Sequence, residues 1–121
     1  MSSRLPPASS AERRALSRQA RDAFPPMGVY AIRDRVSGRV RVGSSRNVPG
    51  TLNRIQFELR LGSHPDKTLQ SEWRQGGAGR FAFEVLQMLK ERDDPAFDYA
   101  GELRVLEQLY REEFASPEGA P

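Results

Sequence analysis

Residues 28–44, GVYAIRDRVSGRVRVGS, decide the fold of this chain. Two apolar runs flank Ser37-Gly38, a dipeptide that favours a tight turn between strands. The first run begins with Gly28-Val29-Tyr30, and the second ends with Arg41-Val42-Gly43-Ser44. This pattern predicts a β-hairpin with a tyrosine on one strand and an arginine, shortly followed by a glycine, on the other.

The segments that follow the hairpin have helix and strand patterns in turn. Leu52, Ile55 and Leu59 recur at helical spacing, and a glycine at position 62 is typical of a helix end. The predicted order is a helix over about 51–61, a short helix from 65 or 66 to 76, a strand over about 81–86 and a last helix over about 99–114. We therefore expect an α/β (α+β) fold, in which a small three-stranded antiparallel sheet is flanked by helices.

The two ends of the chain differ in composition from its centre. A polar leader and a basic N-terminal helix are predicted over residues 1–26, where Ser9 and Glu12 form a capping box. One domain is predicted over residues 27–114, followed by a disordered tail over 115–121. The sequence has no run of about 18 apolar residues and no secretory signal, which predicts a cytoplasmic protein with no membrane partner.

Charge is distributed unevenly along the chain. Residues 1–60 carry twelve arginines against four acids, whereas residues 61–121 carry seven basic residues against twelve acids. Seventeen arginines stand against two lysines, and the planar guanidinium suits phosphate contacts with two donors. These features favour nucleic acid as a partner, although GC-rich coding DNA also produces arginine-rich sequences. Cysteine is absent and His64 is the only histidine, which excludes disulfides, zinc fingers and cysteine nucleophiles.

The order and spacing of short motifs over about residues 27–114 resemble the GIY-YIG nuclease family. The matching motifs are Gly28-Val29-Tyr30, Val42-Gly43, Ser44 with Asn47, Gly62-Ser63-His64, Leu69-Gln70, Trp73, Phe81-Ala82-Phe83-Glu84-Val85-Leu86 and Glu107. The resemblance implies a domain that hydrolyses nucleic-acid phosphodiester bonds with one divalent ion, Mg²⁺ or Mn²⁺. It also implies that DNA is the expected partner.

Three residues match positions that carry chemistry in that family. The resemblance implies that Tyr30 is the first of two catalytic tyrosines and that Glu107 binds the metal ion. His64 matches a position that is histidine in some members. Tyr30 as an ordinary half-buried strand residue and His64 as a surface or capping residue remain the alternative interpretations.

Three other positions depart from the family pattern. Arg41 stands where the second tyrosine is expected, Thr51 replaces the arginine of the following helix, and Ile55 replaces a frequent histidine. A guanidinium keeps its proton at neutral pH, so Arg41 is expected to bind phosphate rather than to accept a proton. Arg54 lies one turn after Thr51 and is the candidate to supply the missing phosphate contact. In the alternative interpretation, both arginines are solvent-exposed surface residues.

Glu107 is a candidate site residue on physical grounds as well. Leu103, Leu106, Tyr110 and Phe114 form the predicted buried stripe of the last helix, and Glu107 lies within that stripe. A carboxylate among apolar side chains is unfavourable unless it is paired or bound to a metal. Glu107 is therefore expected either to hold a divalent ion or to pair with an arginine of the sheet.

Three functions fit this sequence. The favoured interpretation is a GIY-YIG-like domain that binds nucleic acid through a degraded catalytic site. The second is an active Mg²⁺-dependent endonuclease whose site is rearranged around Tyr30, Arg41, Arg54 and Glu107. The third is a protein-interaction domain without a nucleic-acid role.

Overall fold

The computed structural model describes residues 24–115. The predicted N-terminal helix, and all of the predicted tail except its first residue, lie outside the described residues. Three strands and three α-helices follow one another as β1 (Gly28–Asp34), β2 (Val40–Ser45), α1 (Val48–Leu61), α2 (Lys67–Gly76), a 3₁₀ turn (Ala78–Arg80), β3 (Phe81–Met88) and α3 (Tyr99–Ala115). Within the described range, no helix is long and apolar enough to cross a membrane.

The strands form one antiparallel sheet in the order β2-β1-β3. The expected α+β fold, with a three-stranded antiparallel sheet and flanking helices, is confirmed. Strand β1 is central, and Val29, Ala31 and Ile32 on it are all buried. Strand β2 is an edge strand, so one of its two long edges has no partner strand among the described residues.

The β1–β2 turn is fixed by a buried carboxylate. Asp34 is fully buried, and its Oδ1 accepts the N–H groups of Val36 at 2.9 Å and Ser37 at 3.2 Å. Gly38 completes the turn with a φ of 80°, a left-handed conformation that glycine adopts without strain. Arg80 donates to both oxygens of Asp34, at 2.9 and 2.8 Å, and so joins the turn to the start of β3.

Helix α1 begins at Val48, three residues before the predicted start at Thr51. Asn47 caps the helix, because its side chain accepts the backbone N–H three residues later at 3.1 Å. Pro49 is tolerated in the first turn, where its missing N–H leaves no helical hydrogen bond unmade. The predicted end is confirmed, since Gly62 adopts the left-handed conformation at a φ of 81°.

Helices α1 and α2 cover one face of the sheet and build the main core. Trp73 of α2 stacks on Phe81 at a centroid distance of 6.0 Å. Tyr30 and Phe83 pack against this core from the sheet. The buried residues of this core are Ile32, Ile55, Leu59, Leu69, Trp73 and Phe81.

Helix α3 packs mainly against strand β2, with Leu103 as its buried residue. Successive residues of a strand face opposite sides of the sheet. Every second residue of β2 therefore faces the main core, and the residues between them face α3. The β2 edge therefore lies between α1 on one face and α3 on the other. Side chains from both helices meet at this edge.

Candidate functional site

Tyr30 and Gly43 lie directly opposite each other on β1 and β2. A Cβ atom added to Gly43 would lie 2.5 Å from Cζ and 3.0 Å from Cε2 of Tyr30, and closer still to the phenol oxygen. The ring of Tyr30 therefore lies against the bare backbone of residue 43. Glycine is required at this position because any side chain would push the ring away from the β2 edge.

The environment of Tyr30 keeps its phenol protonated. Burial raises the pKa of Tyr30 above its usual range, and the negative charge of Glu107 raises it further. The positive charges of Arg54 and Arg111 lower the pKa but do not reverse the shift. At neutral pH the phenol is therefore protonated and can donate a hydrogen bond to a ligand.

Tyr30 lines a groove of about 410 Å³ beside helix α1. Arg41, Arg54 and His64 line the same groove. The structure therefore brings together four of the five residues that the sequence singled out. Glu107 is not among the lining residues, although its charge acts on Tyr30 from the α3 side of the sheet.

Arg41 is held by two carboxylates. Its Nε lies 3.4 Å from Oδ2 of Asp66, and its Nη2 donates to Oε1 of Glu72 at 3.1 Å. The side chain is 14% exposed, so Arg41 is not the exposed strand residue of the alternative interpretation. Nη1 is buried and has no hydrogen-bond partner among the described residues. Most of the charge of Arg41 is thus compensated inside the protein.

Arg54 is the exposed cation of the groove. It lies on the solvent side of α1 and makes no hydrogen bond or ion pair with other residues in the 24–115 range. Thr51, one turn earlier, is engaged elsewhere through a 2.6 Å hydrogen bond between its Oγ1 and Oγ of Ser45. Arg54 therefore has all its donors available to an anion.

His64 is fixed in the loop between α1 and α2. Its Nδ1 accepts the N–H of Asp66 at 3.0 Å, and its backbone N–H donates to Oε1 of the buried Gln70 at 3.0 Å. Because Nδ1 accepts, the proton of the neutral ring lies on Nε2, which is 4.0 Å from Oε1 of Glu58. The side chain is only 12% exposed, and it shapes the wall of the groove.

Glu107 lies on the side of α3 that faces β2, as the helical pattern predicts. Its Oε1 accepts a 2.5 Å hydrogen bond from Oγ of Ser44, and its Oε2 lies 2.5 Å from Nη2 of Arg111. The expected pairing with an arginine of the sheet is wrong, because the partner is on the same helix. Sequence reasoning missed Arg111, although a glutamate four residues before an arginine is a recognised helical pair.

Arg111 also contacts the sheet. The same Nη2 donates to the backbone oxygen of Val42 at 3.1 Å. The guanidinium thus bridges the Glu107 carboxylate and the edge strand, while 55% of the side chain stays exposed. This contact fixes the position of α3 on the β2 edge next to Ser44.

The side chains around Glu107 do not fit a divalent ion in this arrangement. Across residues 24–115, no group of three or more histidine or acidic side chains is placed to hold a metal. Mg²⁺ can bind through a single carboxylate with waters, but at Glu107 it would meet the positive charge of Arg111. Both oxygens of Glu107 are already engaged, one with Ser44 and the other with Arg111.

Comparison with known proteins bears on the fold. No family model and no curated protein matches this sequence. Among solved structures, the catalytic domain of homing endonuclease I-TevI superposes with a TM-score of 0.60 and 21% identity, over 74% of this chain and 89% of that domain. A glutamate-to-alanine mutant of the catalytic domain of intron endonuclease I-TevI gives a TM-score of 0.61 and 19% identity, over 78% of this chain and 89% of that chain. The chain therefore has the GIY-YIG-like fold that its motifs indicated.

Proposed function

We propose that this domain binds nucleic acid, with DNA as the first candidate, through the groove of Tyr30 and Arg54 and without the usual cleavage chemistry. One observation carries the proposal. Arg41 stands where the motif has its second tyrosine, and it is tied to Asp66 and Glu72 instead of being available to a substrate. The likeness to an endonuclease catalytic domain supports a nuclease-like domain as its origin.

The binding part of the proposal rests on donors that face the groove. Arg54 is exposed and offers a planar set of N–H donors that match phosphate oxygens. Tyr30 adds a protonated phenol next to it, since its pKa is raised by burial and by Glu107. Phosphate contacts of this kind fix the position of a nucleic acid without reading its sequence.

The loss of cleavage follows from the acid-base properties of the side chains in the same groove. A guanidinium does not accept a proton, so Arg41 cannot act as a general base. Tyr30 is therefore the one tyrosine left of the motif's pair, and its pKa is raised further from neutral by burial and by Glu107. Removal of a general acid-base group lowers a rate by roughly 10²–10⁴. His64 also lines the groove, but its Nδ1 already accepts the N–H of Asp66.

A divalent ion is part of the chemistry that the fold implies. Mg²⁺ or Mn²⁺ bound at Glu107 would polarise a phosphate oxygen and lower the pKa of a bound water. Our proposal assigns no step to such an ion, because both carboxylate oxygens of Glu107 are engaged by other groups.

A DNA titration over a salt series tests the binding. The unchanged chain should show a steep loss of affinity with salt, since phosphate contacts release counterions. Arg54→Gln should weaken binding and reduce the slope of log K against log salt by about one. Arg60→Gln, at a second exposed arginine of α1 outside the groove, serves as the matched control and should leave the slope unchanged. Equal slopes for all three chains would refute the groove as the binding site.

Nicking of supercoiled plasmid in Mg²⁺ or Mn²⁺ tests the loss of cleavage. We expect no nicking above that of a Glu107→Ala control. Nicking that disappears in the control would establish the active endonuclease instead. Absence of any DNA binding would favour the protein-interaction domain, for which Val105 and Leu109 of α3, each more than half exposed, provide an apolar surface.

A further inference from the structure

We infer that the guanidinium of Arg111 takes the place of a divalent cation at Glu107 and keeps metal ions out of this site. Both oxygens of the Glu107 carboxylate have partners. Oε2 of Glu107 lies 2.5 Å from Nη2 of Arg111, and Oε1 accepts the hydroxyl of Ser44 at 2.5 Å. A metal ion at this carboxylate would therefore meet the positive charge of Arg111, which already lies at Oε2.

The guanidinium is anchored more firmly than an ordinary surface ion pair. Its Nη2 donates to Val42 O at 3.1 Å as well as pairing with Glu107, so it has an acceptor on the sheet and one on the helix. Glu107 is 19% exposed and the Arg111 side chain 55%, so the carboxylate end of the pair is partly shielded from solvent. The side chains are one helical turn apart, which favours this pairing in the folded chain.

A divalent ion would have to compete with a cation that is part of the chain. A tethered group acts at a high effective concentration, whereas the ion must be drawn from dilute solution. Mg²⁺ also gives up its hydration shell reluctantly, and one carboxylate offers it little in return. Arginine keeps its charge at every physiological pH, so the cation at Glu107 is permanent.

The consequence for nucleic-acid binding rests on the function proposed above. Arg54 is exposed in the groove that Tyr30 lines, and it makes no ion pair within residues 24–115. Phosphate at the groove would meet this charge whether or not a metal is present. We therefore infer that nucleic-acid binding by this domain is independent of divalent ions.

Binding of Mn²⁺ to the full-length free protein, measured from the loss of the free-ion EPR signal, tests the exclusion. The unchanged chain should bind no more Mn²⁺ than Glu107→Gln does. Arg111→Leu should create a Mn²⁺ site that disappears in the Arg111→Leu/Glu107→Gln double variant. Arg111→Lys should not create the site, because it keeps the positive charge. Arg104→Leu is the matched control, since Arg104 is exposed on the same helix and has no ion pair within residues 24–115.

Two results would overturn the exclusion. The first is Mn²⁺ binding by the unchanged chain that Glu107→Gln removes. The second is a folded Arg111→Leu chain that binds no Mn²⁺, because Arg111 would then not be the group that keeps the ion out. If Arg111→Leu does not fold, Arg111→Gln, which also removes the positive charge, takes its place in the same comparison.

DNA titrations in EDTA and in Mg²⁺ at equal ionic strength test the consequence. Equal affinities support metal-independent binding, and binding that requires Mg²⁺ overturns it. Failure to bind DNA in both buffers would refute the proposed function alone. The Mn²⁺ measurement needs no nucleic acid, so it decides the exclusion by Arg111 in that case.

Discussion

Replacing Gly43 by alanine should displace the ring of Tyr30 from the β2 edge. The new Cβ would lie 2.5 Å from Cζ and 3.0 Å from Cε2 of that ring. Carbon atoms in contact settle at about 3.5–4.0 Å, so the ring has to move by about 1 Å or more. The obstacle is a side chain and not backbone, which means that the strands can stay paired while the ring shifts.

The size of the effect follows from how tightly that ring is held. Tyr30 is partly buried and packs against the cluster that contains Ile32 and Phe81, so a shift of its ring changes these core contacts. Inserting one methyl group into a packed interior typically destabilises a protein by about 1–3 kcal/mol. For a domain of this size, that corresponds to a decrease of Tm on the order of 10 °C.

Urea denaturation of four chains measures this coupling. We expect Gly43→Ala to destabilise the unchanged chain by the amount above, but to have little effect in a Tyr30→Ala background, where the ring is gone. A double-mutant cycle then yields an interaction free energy of roughly 1–3 kcal/mol. An equal loss of stability from Gly43→Ala in both backgrounds would refute the assignment of this glycine to the tyrosine ring.

Three further predictions concern protonation and buried polar groups. Ultraviolet titration should show that the Tyr30 phenol ionises above the usual pH of about 10, and its signal is identified by its absence in Tyr30→Phe. Because the pKa is raised in the folded state, the free energy of unfolding should fall as pH rises through that range. Arg80 holds the pKa of Asp34 well below its usual range, so the stability that this carboxylate contributes should be present above about pH 4 and lost below it. Urea denaturation at a series of pH values measures this: Asp34→Asn should lose the acid dependence and should unfold more easily at neutral pH. Gln70→Leu should lower the free energy of unfolding by about 1–3 kcal/mol, because it leaves the His64 N–H and the Leu59 carbonyl without their partner. The control Gln75→Leu, at an exposed position of the same helix, should change that free energy by no more than about 0.5 kcal/mol.

Local sequence patterns were sufficient for the elements of this fold. The turn residues Ser37-Gly38, the helix end at Gly62 and the alternation around Phe81 each act over a few residues, and the structure confirms the elements that they predict. The start of α1 was misjudged because the capping side chain of Asn47 and the proline after it extend the helix backwards.

The sequence by itself determined the β-hairpin that carries Tyr30 on one strand and Gly43 on the other, because turn residues act locally; the structure pairs the two residues. Only the tertiary structure decided the state of the charged side chains. Arg41 meets Glu72 from 31 residues away, and Ser44 meets Glu107 from 63 residues away. Such pairs depend on how helices dock on the sheet, and no local pattern encodes that docking. For this physical reason, the motif indicated a nuclease-like fold, while the packed structure determined which of its charges remain available to a ligand.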